Sequence, residues 1–200
     1  TAIYSDDGGK NWTTSNPFPA NGSGEGAVAE LWDGRIYYTS RRHLDPPGVN
    51  PSMRWEAWSE DGGHTWKDLK ISNVLPDGPL GNTGGTFCGL VRLPVKGRDI
   101  LIYSNCDTPG GNRENVTVWA SFDGAQTWPI KRSVYKPVSA YSSLAAGRPG
   151  TASEGTICIL FEGGKAFRHE GAFAASFNLS WVLGGERTGD GEVPKWFAIR

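Results

Sequence analysis

Ser5-Asp6-Asp7-Gly8-Gly9-Lys10-Asn11-Trp12 returns as Ser59-Glu60-Asp61-Gly62-Gly63-His64-Thr65-Trp66, and again as Ser121-Phe122-Asp123-Gly124-Ala125-Gln126-Thr127-Trp128. The shared pattern is S-x-D-x-G-x-T-W, with Asn11 in place of Thr in the first copy and Ala125 in place of Gly in the third. Read physically, it is a hairpin turn. The aspartate accepts backbone N–H groups, the glycines supply left-handed backbone angles, and the tryptophan packs back over the turn. An alternating strand precedes two of the copies, Arg54 to Trp58 and Val116 to Ala120. The second copy begins 54 residues after the first, and the third 62 after the second. That interval is one four-stranded propeller blade with its loops, and such a repeat buries its faces only by stacking on neighbours. At about 50 residues per blade, 200 residues hold roughly four blades, fewer than most closed rings need.

Composition agrees with an all-β chain: 28 Gly and 13 Pro to punctuate turns, 9 Trp among the aromatics, and a single Met. The formal net charge is −1 with Lys and Arg scattered, which leaves no electrostatic footprint for nucleic acid or an anionic membrane. No apolar run approaches the roughly 20 residues of a membrane span. Thr1-Ala2-Ile3-Tyr4 reads as mid-strand and carries no signal peptide. His43, His64 and His169 lack metal-ligand spacing, and Ser142 and Ser143 lack the G-x-S-x-G elbow of a serine hydrolase. Cys88 and Cys106 flank a hairpin turning at Lys96-Gly97-Arg98. A turn centred on Gly97 would set them opposite each other, able to form a disulfide; two buried thiols are the alternative. Cys158, inside Ile157-Cys158-Ile159-Leu160, is expected in the core. Four N-x-S/T sequons begin at Asn11, Asn21, Asn115 and Asn178, the last within an apparent packed strand.

Between the boxes lie four further segments. Glu25 to Leu31 leads through Trp32-Asp33-Gly34-Arg35 into Ile36 to Arg42, a hairpin that brings Glu25 and Arg41 to the same end. Then come Asn112-Arg113-Glu114 before the third box, Ala140-Tyr141-Ser142-Ser143-Leu144, and Leu160-Phe161-Glu162-Gly163. In this order, and interleaved with the boxes, they resemble the sialidases, whose Asp-box (BNR) repeat the S-x-D-x-G-x-T-W turn matches. The resemblance covers about residues 1–185 and implies a six-bladed β-propeller, with 186–200 as a tail or a closing strand through Trp196 to Ile199. It selects Glu25 over Glu30 and Arg41 over Arg42. It implies Tyr141 as nucleophile, Glu25 as the base that activates it, Arg41 and Arg113 as carboxylate-binding residues, and Glu162 as a support for the first arginine of the family's triad.

The chemistry explains why these residue types occur together. Sialic acid carries a carboxylate on its anomeric carbon. Planar guanidinium groups grip it through bidentate charge-assisted bonds, and a neutral phenol avoids the repulsion a carboxylate nucleophile would meet. Sialidases are the glycosidases that use a tyrosine nucleophile. The family's first arginine and its Asp general acid have no counterpart here. The expected partners are therefore a sialylated glycan and a further propeller portion, in the same or a separate chain. No cofactor or metal is implied. A secreted, periplasmic or lysosome-like compartment is expected. A non-catalytic propeller that only binds acidic glycans is the competing reading, since Asp-boxes alone are structural.

Overall fold

The computed structural model describes residues 1–43, 53–77, 85–108 and 112–184. Its strands are β1 (Ile3–Tyr4), β2 (Thr13–Thr14), β3 (Ser23–Glu30), β4 (Ile36–Arg42), β5 (Met53–Ser59) and β6 (Lys67–Pro76). They continue with β7 (Gly89–Arg92), β8 (Leu101–Cys106), β9 (Glu114–Ser121), β10 (Ile130–Ala146), β11 (Thr156–Gly163) and β12 (Gly171–Asn178), followed by α1 (Leu179–Leu183). All pairings are antiparallel and join sequence neighbours, which gives sheets β1-β2, β3-β4-β5-β6 and β7-β8-β9-β10-β11-β12.

The six-stranded sheet is two propeller blades joined through one long strand. The first half of the 17-residue β10 pairs with β9, from Ile130 to Val138. Its second half pairs with β11, from Ser139 to Ala146. It is thus the last strand of one blade and the first of the next. Among the described residues the chain builds two complete four-stranded blades, a three-stranded one from β10 to β12, and the two strands β1 and β2. Each Asp-box closes the same hairpin of its blade: β1 to β2, β5 to β6, and β9 to β10. Parts of four blades are present.

The boxes share one set of bonds. In the first, Ser5 Oγ donates to Asp7, whose Oδ1 accepts the amides of Lys10 and Asn11 at 3.0 and 2.9 Å. Asp61 and Asp123 accept the Thr65 and Thr127 amides in the same way. The amide and side chain of Asn11, then Ser5, pull the Asp7 carboxyl down to about 2. The tryptophans diverge: Trp128 is buried, whereas Trp12 is 63% exposed and reaches back to the Gly9 carbonyl.

The packing is inter-blade, as stacking requires. Leu31, Tyr37 and Trp58 of one blade bury against Leu101, Tyr103 and Trp119 of the next. Ile102, Val116 and Val118 do the same against Ile157, Ile159 and Phe161. Central strand β5 is buried on both faces over Arg54–Ser59, so its charged Arg54 and Glu56 must find partners inside. Asn178 ends β12 and caps α1, accepting the Trp181 amide at 2.8 Å.

Of the two readings left open for Cys88 and Cys106, strand register decides for two buried thiols, whereas the expectation of a core Cys158 fails. Gly97 does occupy the turn with φ 70°. However, Gly89 pairs with Ser104, which sets Asn105 and not Cys106 across from Cys88. A slip of one residue sends neighbouring side chains to opposite faces. Cys88 Sγ accordingly meets Arg54 Nη2 at 3.1 Å, while Cys106 Sγ lies 3.6 Å from Ser139 Oγ. Both thiols are free and buried, and Cys158 is free and exposed because β11 buries Ile157 and Ile159 on its other face. Thiol titration in denaturant without reductant should therefore count three thiols per chain; a count of one would restore the bridge. The predicted closing strand at Trp196 to Ile199 lies outside the described residues.

Candidate active site

The site gathers at the end of the inner strands, where both β3 and β10 carry a bulge. In β3, Ser23 pairs with Arg42 and Gly26 with Ser40, so two residues, Gly24 and Glu25, stand opposite Arg41 alone. In β10, Ser139 pairs with Gly163 and Ser142 with Phe161, which again leaves one extra residue around Tyr141. A bulge bends its strand and re-aims a side chain. Here the two bulges turn Glu25 and Tyr141 toward each other.

The result is a tight triangle. Tyr141 donates its phenolic hydrogen to Glu25 Oε1 at 2.5 Å. Arg41 Nη1 reaches Glu25 Oε2 at 2.6 Å and the Tyr141 oxygen at 3.1 Å. Arg113 completes the group, with its guanidinium carbon 5.5 Å from the Tyr141 ring centroid and Nη2 donating to the Gly85 carbonyl at 2.7 Å. Phe87 packs on the other ring contact of Tyr141, 6.0 Å between centroids. Glu162 sits behind the bulge and accepts the Tyr141 amide at 3.2 Å. All five residues singled out by sequence thus come together from segments 25–162.

The two neighbouring arginines separate as the alternation requires. Arg41 faces the triangle, while Arg42 lies 5.5 Å from the Trp55 ring and gives its amide to Asp77 Oδ2 at 2.7 Å. Burial opposes ionisation of Glu25, but the hydrogen bonds of Tyr141 and Arg41 outweigh it and hold the carboxyl below its ordinary value. Burial and the Glu25 carboxylate push the Tyr141 phenol upward, against the two arginines. The proton therefore rests on the phenol, beside an ionised carboxylate. Burial, then the charge of Arg168, draws the Arg113 guanidinium below its ordinary value, though it stays a cation by its chemistry.

Sequence reasoning missed the group beneath this triangle. Arg54, fully buried, donates Nη1 to Asp77 Oδ1 at 2.8 Å and to the Thr86 carbonyl at 2.9 Å. Its Nη2 reaches the Glu25 carbonyl at 3.2 Å, so one cation fixes the backbone of Glu25 from below. Burial pushes the Asp77 carboxyl upward against the pull of Arg54 and the Arg42 amide. Gly85 is the close-approach point: a Cβ there would stand 2.7 Å from Asp77 Oδ2 and 2.9 Å from Arg41 Cγ. The one sequence signal was a charged residue at alternate positions of a strand buried on both faces. Among the described residues, no group of three His, Cys, Asp or Glu side chains is placed to hold a metal, and no helix is long and apolar enough to cross a membrane.

No family model matches the chain. A curated sialidase of Micromonospora viridifaciens is 32% identical over 190 residues, covering 92% of this chain and 26% of its own length. A sialidase of Vibrio cholerae is 32% identical over 164 residues, 72% of this chain and 20% of its length. The chain thus spans between a fifth and about a quarter of these relatives. Among solved structures, a Hadza microbial sialidase superposes with a TM-score of 0.69 at 27% identity, over 90% of this chain and 32% of that one. In sequence and in blade architecture, the chain belongs to the sialidase family as a part-length member.

Proposed function

We propose that this chain carries the nucleophile half of an exo-acting, retaining sialidase site that releases terminal sialic acid, or a related nonulosonic acid, from glycoconjugates. The observation that carries the reading is the 2.5 Å bond from the Tyr141 phenol to Glu25 Oε1, with Arg41 bridging both groups. A phenol in that setting needs no free phenolate. As its oxygen attacks the anomeric carbon, the bond to the aglycone oxygen breaks and the phenolic proton passes to Glu25. The leaving oxygen takes its proton from a general acid that the family resemblance assigns outside this chain. Water then attacks the anomeric carbon and gives its proton to the conjugate base of that same outside acid, the bond to the Tyr141 oxygen breaks as Glu25 returns the proton to it, and two inversions give net retention. Arg41 and Arg113, both beside the nucleophile, would grip the sugar carboxylate where only planar guanidinium groups fit bidentately. The glycan and the completing propeller portion are the partners this reading requires.

The test is turnover of a fluorogenic α-sialoside by the full-length protein that contains this chain. Glu25→Gln removes the proton acceptor and is expected to lower kcat by about 10²–10⁴-fold. Sugar binding without product in the unmodified protein would instead favour a glycan-binding propeller. The pH dependence has a definite sign. Glu25 acts as an anion and its carboxyl is held below the ordinary value of 4.5, so its acid limb in kcat/KM falls below pH 4.5. The same depression makes its contribution to stability present above the unfolded value and lost as pH falls through the folded one. An acid limb that stays in place in Glu25→Gln would assign it to another group.

A further inference from the structure

The bulge at Tyr141 leaves its amide to be taken by a side chain, since the ladder partners resume only at Ser139 and Ser142. That acceptor, Glu162, is itself held. His169 Nδ1 lies 3.3 Å from the same Glu162 Oε2, and Arg168 Nε donates to His169 Nε2 at 3.2 Å. Arginine has only donors, so Nε2 must offer its lone pair. In a neutral imidazole that leaves Nδ1 to carry the ring proton, 3.3 Å from Glu162 Oε2.

The loop that carries the two residues is built to present them. Glu170 accepts the amides of Lys165, Ala166 and Phe167, and Phe167 packs edge-on against His169, 5.2 Å between rings. At its root, Gly164 donates its amide to the Val138 carbonyl, and Tyr135 donates its hydroxyl to the Gly164 carbonyl. The neighbouring Ser139 amide bonds the Arg113 carbonyl at 3.0 Å. The loop between β11 and β12 is therefore tied to the same stretch of β10 as the bulge.

Resting on the proposed sialidase reading, we infer that His169, oriented by Arg168, is a positioning residue that locks Glu162 onto the Tyr141 amide and so sets the aim of the nucleophile. The contacts run from the Arg168–His169 hydrogen bond to the 3.3 Å approach of His169 Nδ1 to Glu162 Oε2, with the Tyr141 amide on the same oxygen. It acts through the backbone and touches no substrate.

Two measurements on the full-length protein test it. Nitrogen NMR of the imidazole in the unmodified protein is expected to show the proton on Nδ1; a proton on Nε2 with Nδ1 bare would overturn the proposal. Steady-state kinetics with a fluorogenic α-sialoside form the second arm. His169→Phe is expected to lower kcat about tenfold, the scale of one lost hydrogen bond, with KM changed by less than about twofold. His169→Asn, whose amide donates from the position of Nδ1, should recover most of the loss. A folded His169→Phe protein with unchanged kcat, alongside an inactive Tyr141→Phe control, overturns this inference and leaves the sialidase reading standing. Full activity in Tyr141→Phe would instead sink the reading on which it rests.

Discussion

Tyr141→Phe is expected to lower kcat by about three orders of magnitude or more in the full-length protein, with the fold intact and KM little changed. The substitution removes one oxygen and keeps the ring against Phe87 and beneath the Arg113 guanidinium. The two guanidinium groups proposed to grip the substrate are left in place. What disappears is the atom that would bond to the anomeric carbon, so the loss belongs to kcat. The hydroxyl is half-buried and bonded to a partly exposed carboxylate, so its deletion costs little stability. The melting temperature should stay within a few degrees of the parent's, as read by circular dichroism. Turnover at the parent rate would remove Tyr141 from the chemistry.

Arg54→Ala carries the largest expected stability effect. The guanidinium is buried without exposure and serves Asp77, the Thr86 and Glu25 carbonyls and the Cys88 thiol. Removing it strands the Asp77 carboxylate in the interior and strips donors from the buried Thr86 carbonyl and the part-buried Glu25 carbonyl. Breaking a buried pair from one side costs about 3–5 kcal/mol. For a domain of this size that corresponds to a fall in Tm of roughly 10 °C. The charge itself is not what the fold needs. Arg54→Met combined with Asp77→Leu is expected to recover most of that stability, because well-packed apolar groups often replace a buried pair without loss. Activity should not return with it, since the Glu25 carbonyl loses the donor that fixes the base. A melting temperature within about 2 °C of the parent's in Arg54→Ala would contradict this account.

Legibility in the sequence followed how local the determining interactions are. The Asp-boxes could be read because their bonds close within four residues, as Ser5, Asp7 and Asn11 show. The hairpin from Glu25 to Arg42 could be read because Asp33-Gly34 marks its turn, and Gly34 has φ 85°. The five site residues were legible only through family resemblance. Their meeting depends on bulges at Glu25 and Tyr141 that no alternation pattern announces. The same one-residue arithmetic decides for buried thiols over a Cys88 to Cys106 bridge, and the two-faced pattern of β11 places Cys158 outside the core expected for it. Arg54 and Asp77, 23 positions apart, meet at the open end of the β5–β6 hairpin, where the register shifts between Met53 and Trp55, so neither showed its partner in the sequence. His169 was weighed there only as a metal ligand; its contact with Glu162 arises from a loop conformation set by Glu170.

Covalent trapping on the protein asks whether a phenol beside a carboxylate is the nucleophile. The full-length protein is incubated with a fluorinated sialosyl fluoride, which slows departure of the bound sugar, and the digest is mapped by mass spectrometry. One sialosyl adduct is expected, on the peptide bearing Tyr141 and absent from Tyr141→Phe. An adduct on Glu25, or catalytic turnover with Tyr141 never modified, would contradict it.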